Sequence, residues 1–180
     1  MKKSHLSAGA VVLIIAVVVL LQMSRNSLPG PATTTGSQPA GSSAGGVIYD
    51  PSLAEYLPDP RKTPGDTLDV TSQDFCVSGY SSKVRNVPES VKNQAYQEYG
   101  ITSRQPGEYE VDHLISLELG GSNSIRNLWP ESYTGEWNAH LKDSLENRLH
   151  DLVCSGSLDM KTAQQAIATN WIAAYQRYAK

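Results

Sequence analysis

The stretch from Tyr109 to Asp143, YEVDHLISLELGGSNSIRNLWPESYTGEWNAHLKD, decides how this chain is read. Residues 108–119 alternate imperfectly between polar and apolar and end at Gly120-Gly121, the pattern of one or two short strands entering a turn. Ile125 to Trp129 reads as the return strand, stopped by Pro130. A helix follows over roughly 137–153, where Leu141, Leu145, Leu149 and Leu152 make an apolar stripe and the Gly156 region ends it.

Working outward, residues 88–99 (PESVKNQAYQEY) predict a helix. Pro88 stands at its start, Glu89 in its first turn, and Gly100 as its stop. Val91, Ala95 and Tyr99 form its apolar edge. Phe75 to Val87 reads as irregular or β-like. The proline-rich span 47–74 reads as a loop-rich entry with one helical turn around Ser52–Tyr56. After the central stretch, Asp159 is the natural N-cap of a last helix carrying Ala163, Ile167, Trp171, Ala174 and Tyr178 on one face. The order helix, hairpin, helix, helix gives the α+β class.

Farther out the composition changes. Residues 25–46 (RNSLPGPATTTGSQPAGSSAGG) have no hydrophobic period and read as a flexible linker. Residues 1–24 hold Lys2 and Lys3 followed by an unbroken apolar run from Ala8 to Leu21, between a signal-peptide core and a spanning helix in length. No close small-x-small cleavage site follows, so the run reads as an uncleaved signal-anchor in preference to a cleaved signal peptide. The flanking bases leave the C-terminal body exported: anchored to the membrane and facing outward, or secreted if the segment is removed. His5 is a flank of this segment.

The domain is therefore residues 47–180. The whole chain of 180 residues has 15 Lys+Arg against 18 Asp+Glu, a formal charge of −3. Lys2, Lys3 and Arg25 are the only bases outside the body, which keeps 12 bases and all 18 acids, a charge of −6. This composition excludes a large, a disordered or a strongly basic protein. Cys76 and Cys154 both lie in the body, and in an exported protein they most simply form one disulfide, with two buried free thiols as the alternative. Closing that 78-residue loop is worth about 4.5 kcal/mol in the chain-entropy model.

The chemistry-bearing residues follow the same central stretch. Asp112 is a hard oxygen ligand suited to Mg²⁺. His113, on the other side of an extended strand, is poised to take a proton near neutral pH. Asn127 can brace the histidine loop through backbone bonds, and a residue at the helix start can complete a metal site. Those parts suit phosphodiester hydrolysis.

The residues also resemble a known family. The order D-H, G-G, N-L, N/H, K looks like the HNH (His-Me finger, ββα-metal) nucleases. More narrowly, EVDHLI, LELGGSN, NLWPE, Lys142-Asp143, VRNVP at 84–88 and VCSG at 153–156 resemble a group of exported bacterial HNH-like proteins over roughly residues 76–178. The resemblance implies a small ββα-metal hairpin–helix core with flanking helices. It implies His113 as general base, Asp112 as metal ligand and Asn127 as the residue that orients the histidine loop. The helix ligand is Asn138 or His140. Asn138 falls within the leucine stripe and faces the site if that stripe docks on the hairpin; His140 is the better candidate if the stripe packs on the last helix.

Arg126, Lys142 and Arg148 are the candidate phosphate contacts, and Lys83, Arg85, Lys92 and Arg104 could join a local patch. His150 reads as a solvated partner of Glu146. The family carries a divalent ion (Mg²⁺ first, then Mn²⁺ or Zn²⁺) and acts on nucleic acid, so DNA is the favoured partner, RNA the alternative, and the protein a monomer. The paired Cys-x-x-Cys knuckles of many HNH domains are missing, a place the Cys76–Cys154 bridge could fill. The acidic body favours a rival: an HNH-like extracytoplasmic binding module without catalysis. A metal-dependent hydrolase of an envelope component is another.

Overall fold

A computed structural model describes residues 51–180. The apolar segment 1–24 and the linker 25–46 lie outside the described residues; among those described, no helix is long and apolar enough to cross a membrane. A 3₁₀ turn, Pro51–Tyr56, opens the domain. Helices α1 (Ser72–Phe75), α2 (Tyr80–Val84) and α3 (Glu89–Glu98) follow. Strands β1 (Tyr109–His113) and β2 (Leu128–Ser132) then form a two-stranded antiparallel sheet. Helices α4 (Ala139–Cys154) and α5 (Met160–Tyr178) end the chain. The class is α+β, as the sequence indicates.

Two expectations need correction. Residues 75–87 are irregular at 76–79 and 85–87, as expected in part, but helical at Phe75 and over Tyr80–Val84, and nowhere β-like. Asp74 accepts from both the backbone and the hydroxyl of Thr71, closing a capping box that starts α1, and Gly79 at φ 80° starts α2. Pro130 does not stop the return strand but sits inside it, opposite Val111. The ladder explains why. Leu114 N donates to Asn127 O and Tyr133 N to Glu108 O, so the hydrogen-bonded pairs fall on even positions of β1. The Val111–Pro130 pair lies between them, and the absent N–H of Pro130 faces away from β1.

The core lies where α4 and α5 pack on each other and on the turns beyond the hairpin. It gathers Phe75, Leu114, Ile115, Leu119, Trp129, Leu145, Leu149, Val153, Ile167 and Trp171. Leu145 and Leu149 of the leucine stripe are deep inside it, while Val153 takes the place expected of Leu152. In α5, Ala163, Ile167, Trp171 and Ala174 are buried as expected. That helix is broken at Asn170, whose φ of −164° and ψ of 97° are extended. Its Oδ1 accepts from Ala173 N at 2.9 Å and so caps the helix again after the break.

Cys76 and Cys154 form the expected disulfide, tying the end of α1 to the end of α4. Between the strands, Gly121 is required by close approach: a Cβ there would stand 1.8 Å from the Ile115 carbonyl oxygen. Gly120 adopts φ 79°, in the left-handed region that a side chain disfavours.

Candidate functional site

His113 ends β1 and is 1% exposed. Its Nε2 lies 3.1 Å from Asn123 Oδ1. The Asn123 amide is oriented by its own bonds, because Nδ2 donates to the Val84 carbonyl at 2.9 Å and Oδ1 accepts from Asn86 N at 3.1 Å. An oxygen facing Nε2 places the imidazole proton on that nitrogen and leaves Nδ1 as the bare lone pair. Nδ1 is buried without a hydrogen-bond partner, 4.0 Å from Asp112 Oδ1. Burial, opposed by the Asp112 charge, holds the ring below the usual histidine value, so it is neutral at pH 7. The imidazole is thus in the form of a base with its accepting atom free.

Asn127 does not touch the ring. Buried under the turn, it donates to the carbonyls of Ile115 (3.0 Å) and Ser122 (2.9 Å) and accepts from Ile115 N (2.9 Å). These three bonds close the loop 114–122 that leaves His113, the backbone bracing the sequence suggests. Asn123 is the residue that sequence reasoning passed over, though it closes the quoted LGGSN.

On the other side of Asp112 stands Lys142, 0% exposed. Its Nζ donates to Asp112 Oδ2 at 2.6 Å, to the His113 carbonyl at 2.7 Å and to Glu146 Oε1, one helical turn on. Glu131 Oε2 lies 3.8 Å away. Burial alone would pull the ammonium down, but Asp112, Glu146 and Glu131 together hold it well above the ordinary lysine value. One ammonium cannot balance three carboxylates. Asp112, which burial would raise, is brought below its ordinary value by Lys142 and stays ionised. Burial pushes Glu146 up to about 8, with Lys142 opposing. Burial also holds Glu131 well above its ordinary value, with Lys142 opposing, and both its oxygens lack a hydrogen bond. Lys142, read from sequence as a phosphate contact, is instead the buried cation that fixes Asp112 and the end of β1.

The remaining candidates are dispersed. Asn138 is the N-cap of α4: its Oδ1 accepts from Leu141 N at 3.4 Å and its Nδ2 donates to Gly135 O at 3.0 Å. His140 is exposed, its ring 5.6 Å from that of Tyr133, whose hydroxyl donates to Glu110 at 2.9 Å. The residue of α4 that reaches Asp112 is Lys142, two positions beyond His140. Arg126 is bound to Asp66 at 3.2 Å, and Arg148 reaches the Tyr178 carbonyl at 3.3 Å. Lys92 pairs with Glu89 at 3.7 Å, and Arg104 lies 3.6 Å from the Tyr96 ring centroid. Arg85 differs from these. It is exposed and close enough to the site for its charge to act on both His113 and Asp143. Asp143 is raised by burial and then by the Asp112 charge, so the two carboxylates share one field.

No family model matches the chain, and no curated protein and no solved structure matches it.

His150 departs from its expected role. Glu146 is committed to Lys142, and the His150 ring tilts against Phe75, with Nε2 3.4 Å from the Phe75 carbonyl. Among the described residues, Cys76, His150 and Cys154 are the group of three potential metal ligands whose donor atoms all lie within 4.8 Å of one another. As a disulfide, the two sulfurs are not thiolate ligands.

Proposed function

We propose that the domain hydrolyses phosphodiester bonds of DNA, with RNA the alternative substrate, in the manner of the HNH (His-Me finger) nucleases, and that it does so as an exported protein. The β1–β2 hairpin and α4 would form its ββα-metal core. The observation that carries this reading is the setting of His113: buried, its Nε2 facing Asn123 Oδ1, with Nδ1 bare beside the Asp112 carboxylate. A water about 2.8 Å from both acceptors would donate a proton to each, which is the hydrogen bonding a general base needs. Nδ1 is covered in this conformation, so water would have to reach it past Asp112, whose side chain is 13% exposed.

The carboxylate donors here suit a hard, largely hydrated ion, Mg²⁺ first and then Mn²⁺ or Zn²⁺. Asp112 Oδ1 is the oxygen that Lys142 leaves free, and Asp143 shares its field. When bound, such an ion supplies Lewis-acid stabilisation of a phosphoryl oxygen. His113 takes the proton of water, Asn123 fixes its tautomer, Asn127 and Gly121 fix its loop, and Lys142 fixes Asp112. Arg85, exposed and acting on both His113 and Asp143, would meet a phosphate.

A plasmid-nicking assay tests this. The purified protein should nick DNA with Mg²⁺ or Mn²⁺, lose activity in chelator, and lose roughly 10²–10⁴-fold on His113→Ala. Absence of metal-dependent cleavage would sink the proposal, and cleavage that survives His113→Ala would overturn the base. One observation favours a second reading, a non-catalytic binding module: Lys142 already neutralises the acid expected to hold the metal. Its signature is DNA retention without cleavage.

A further inference from the structure

The opposite end of α4 carries a different cluster. His150 and Cys154 stand four residues apart on the same helix, and Cys76 reaches them from the end of α1. Their donor atoms lie within 4.8 Å of one another. A surface cleft of about 220 Å³ opens beside them, lined by Cys76, Val77, Tyr80, Glu118 and His150. We propose that this cluster is a redox-gated zinc site: closed to metal as the disulfide, and a Cys₂His site for Zn²⁺ once a dithiol reductant has opened the bridge.

Geometry and donor chemistry support this on four counts. Donors on one tetrahedral Zn²⁺, at about 2.3 Å for sulfur and 2.0–2.1 Å for nitrogen, stand roughly 3.5–3.8 Å apart, so three groups already within 4.8 Å need only small shifts. The two donors of α4 are at i and i+4, which places them on one face of the helix. The Phe75 carbonyl, 3.4 Å from His150 Nε2, holds the ring on the disulfide side, as a second partner commonly does for a ligating histidine. Two thiolates and an imidazole are the donor set Zn²⁺ prefers, and the cleft leaves room for water at the fourth position.

The chemistry balances. Two electrons and two protons pass from the dithiol, which becomes a disulfide, to the Cys76–Cys154 bond, which becomes two thiols. Binding of Zn²⁺ then releases those two protons. The metal closes the same loop that the disulfide closed, so the ends of α1 and α4 stay joined in either state.

The test uses the full-length protein, oxidised and after reduction, titrated with Co²⁺ as a spectroscopic stand-in and with Zn²⁺ as competitor. The oxidised protein should bind neither ion here. The reduced protein should take up one Co²⁺ with a thiolate-to-cobalt charge-transfer band, lose the band to Zn²⁺, and regain with Zn²⁺ the near-ultraviolet circular dichroism of the oxidised form. His150→Ala, which keeps the bridge and hence the oxidised fold, should weaken binding by about tenfold or more. Absence of the band, a band indifferent to His150→Ala, or Zn²⁺ uptake without recovery of the folded spectrum would each overturn the proposal. None of these outcomes depends on His113 or on nuclease activity.

Discussion

At its N-terminal end, helix α4 is held to the hairpin by a buried ammonium among carboxylates; at its C-terminal end, it is held to α1 by a covalent bond. Both tethers stand beside a histidine, and the difference lies in what each histidine is left able to do. His113 is buried and neutral, with one nitrogen engaged and one free. His150 is half-buried on the edge of a cleft, next to sulfurs that are inert while joined. The electrostatic tether answers to protons, the covalent one to electrons. A histidine with one free nitrogen therefore sits at one end of the helix, and a histidine beside a reducible bond at the other.

The comparison can be broken most strongly at the covalent end. Replacing both cysteines by serine should cost about 4.5 kcal/mol, the entropy of releasing the 78-residue loop, in urea or thermal unfolding under oxidising conditions. A cost under about 1 kcal/mol would show that the bridge does not constrain the fold. At the other end, Lys142→Met leaves Asp112 buried without its cation and should cost about 3–5 kcal/mol. Adding Asp112→Asn should recover part of that loss, whereas strict additivity in the double-mutant cycle would deny the pair any coupling.

Two smaller effects sharpen the contrast. Glu146 keeps its proton up to about 8 in the folded state, against an ordinary value of 4.5 when unfolded. The folded state thus binds the extra proton across that interval, and stability falls as pH rises through it. Unfolding curves at several pH values between about 4.5 and 8 should show this slope, and Glu146→Gln should flatten it. Smallest is Asn170→Ala in α5, which removes the cap after the break and should cost about 1 kcal/mol in the same measurement.

How much was legible in the sequence depends on how local each signal is. Strand β1, α3, α4 and the start of α5 carry periodicity, caps and stops within a few residues and appear close to where the pattern places them, whereas the return strand begins only at Leu128, after a 3₁₀ turn at Ile125–Asn127. The helical parts of residues 75–87 escape the pattern because α1 and α2 are too short for a period to show; the Thr71–Asp74 capping box is the local signature of α1. Pro130 was misread because its tolerance depends on which side of the ladder its nitrogen faces, a property of the pairing register. In the site, Asp112 and His113 were legible as a dipeptide and Asn127 as a brace. Asn123 and the burial of Lys142 were not, since each is defined by a partner 10 or 30 residues distant in sequence.

The sequence by itself determined the α+β class, the adjacency of Asp112 and His113 on opposite sides of one strand, and the pairing available to its two cysteines. Those follow from short-range pattern and from counting. Only the tertiary structure decided that Lys142 faces Asp112, that Asn123 sets the histidine tautomer, and that His150 lies against the disulfide. The energies that choose among such contacts come from desolvation and from charges brought together across the fold, which a linear pattern does not contain.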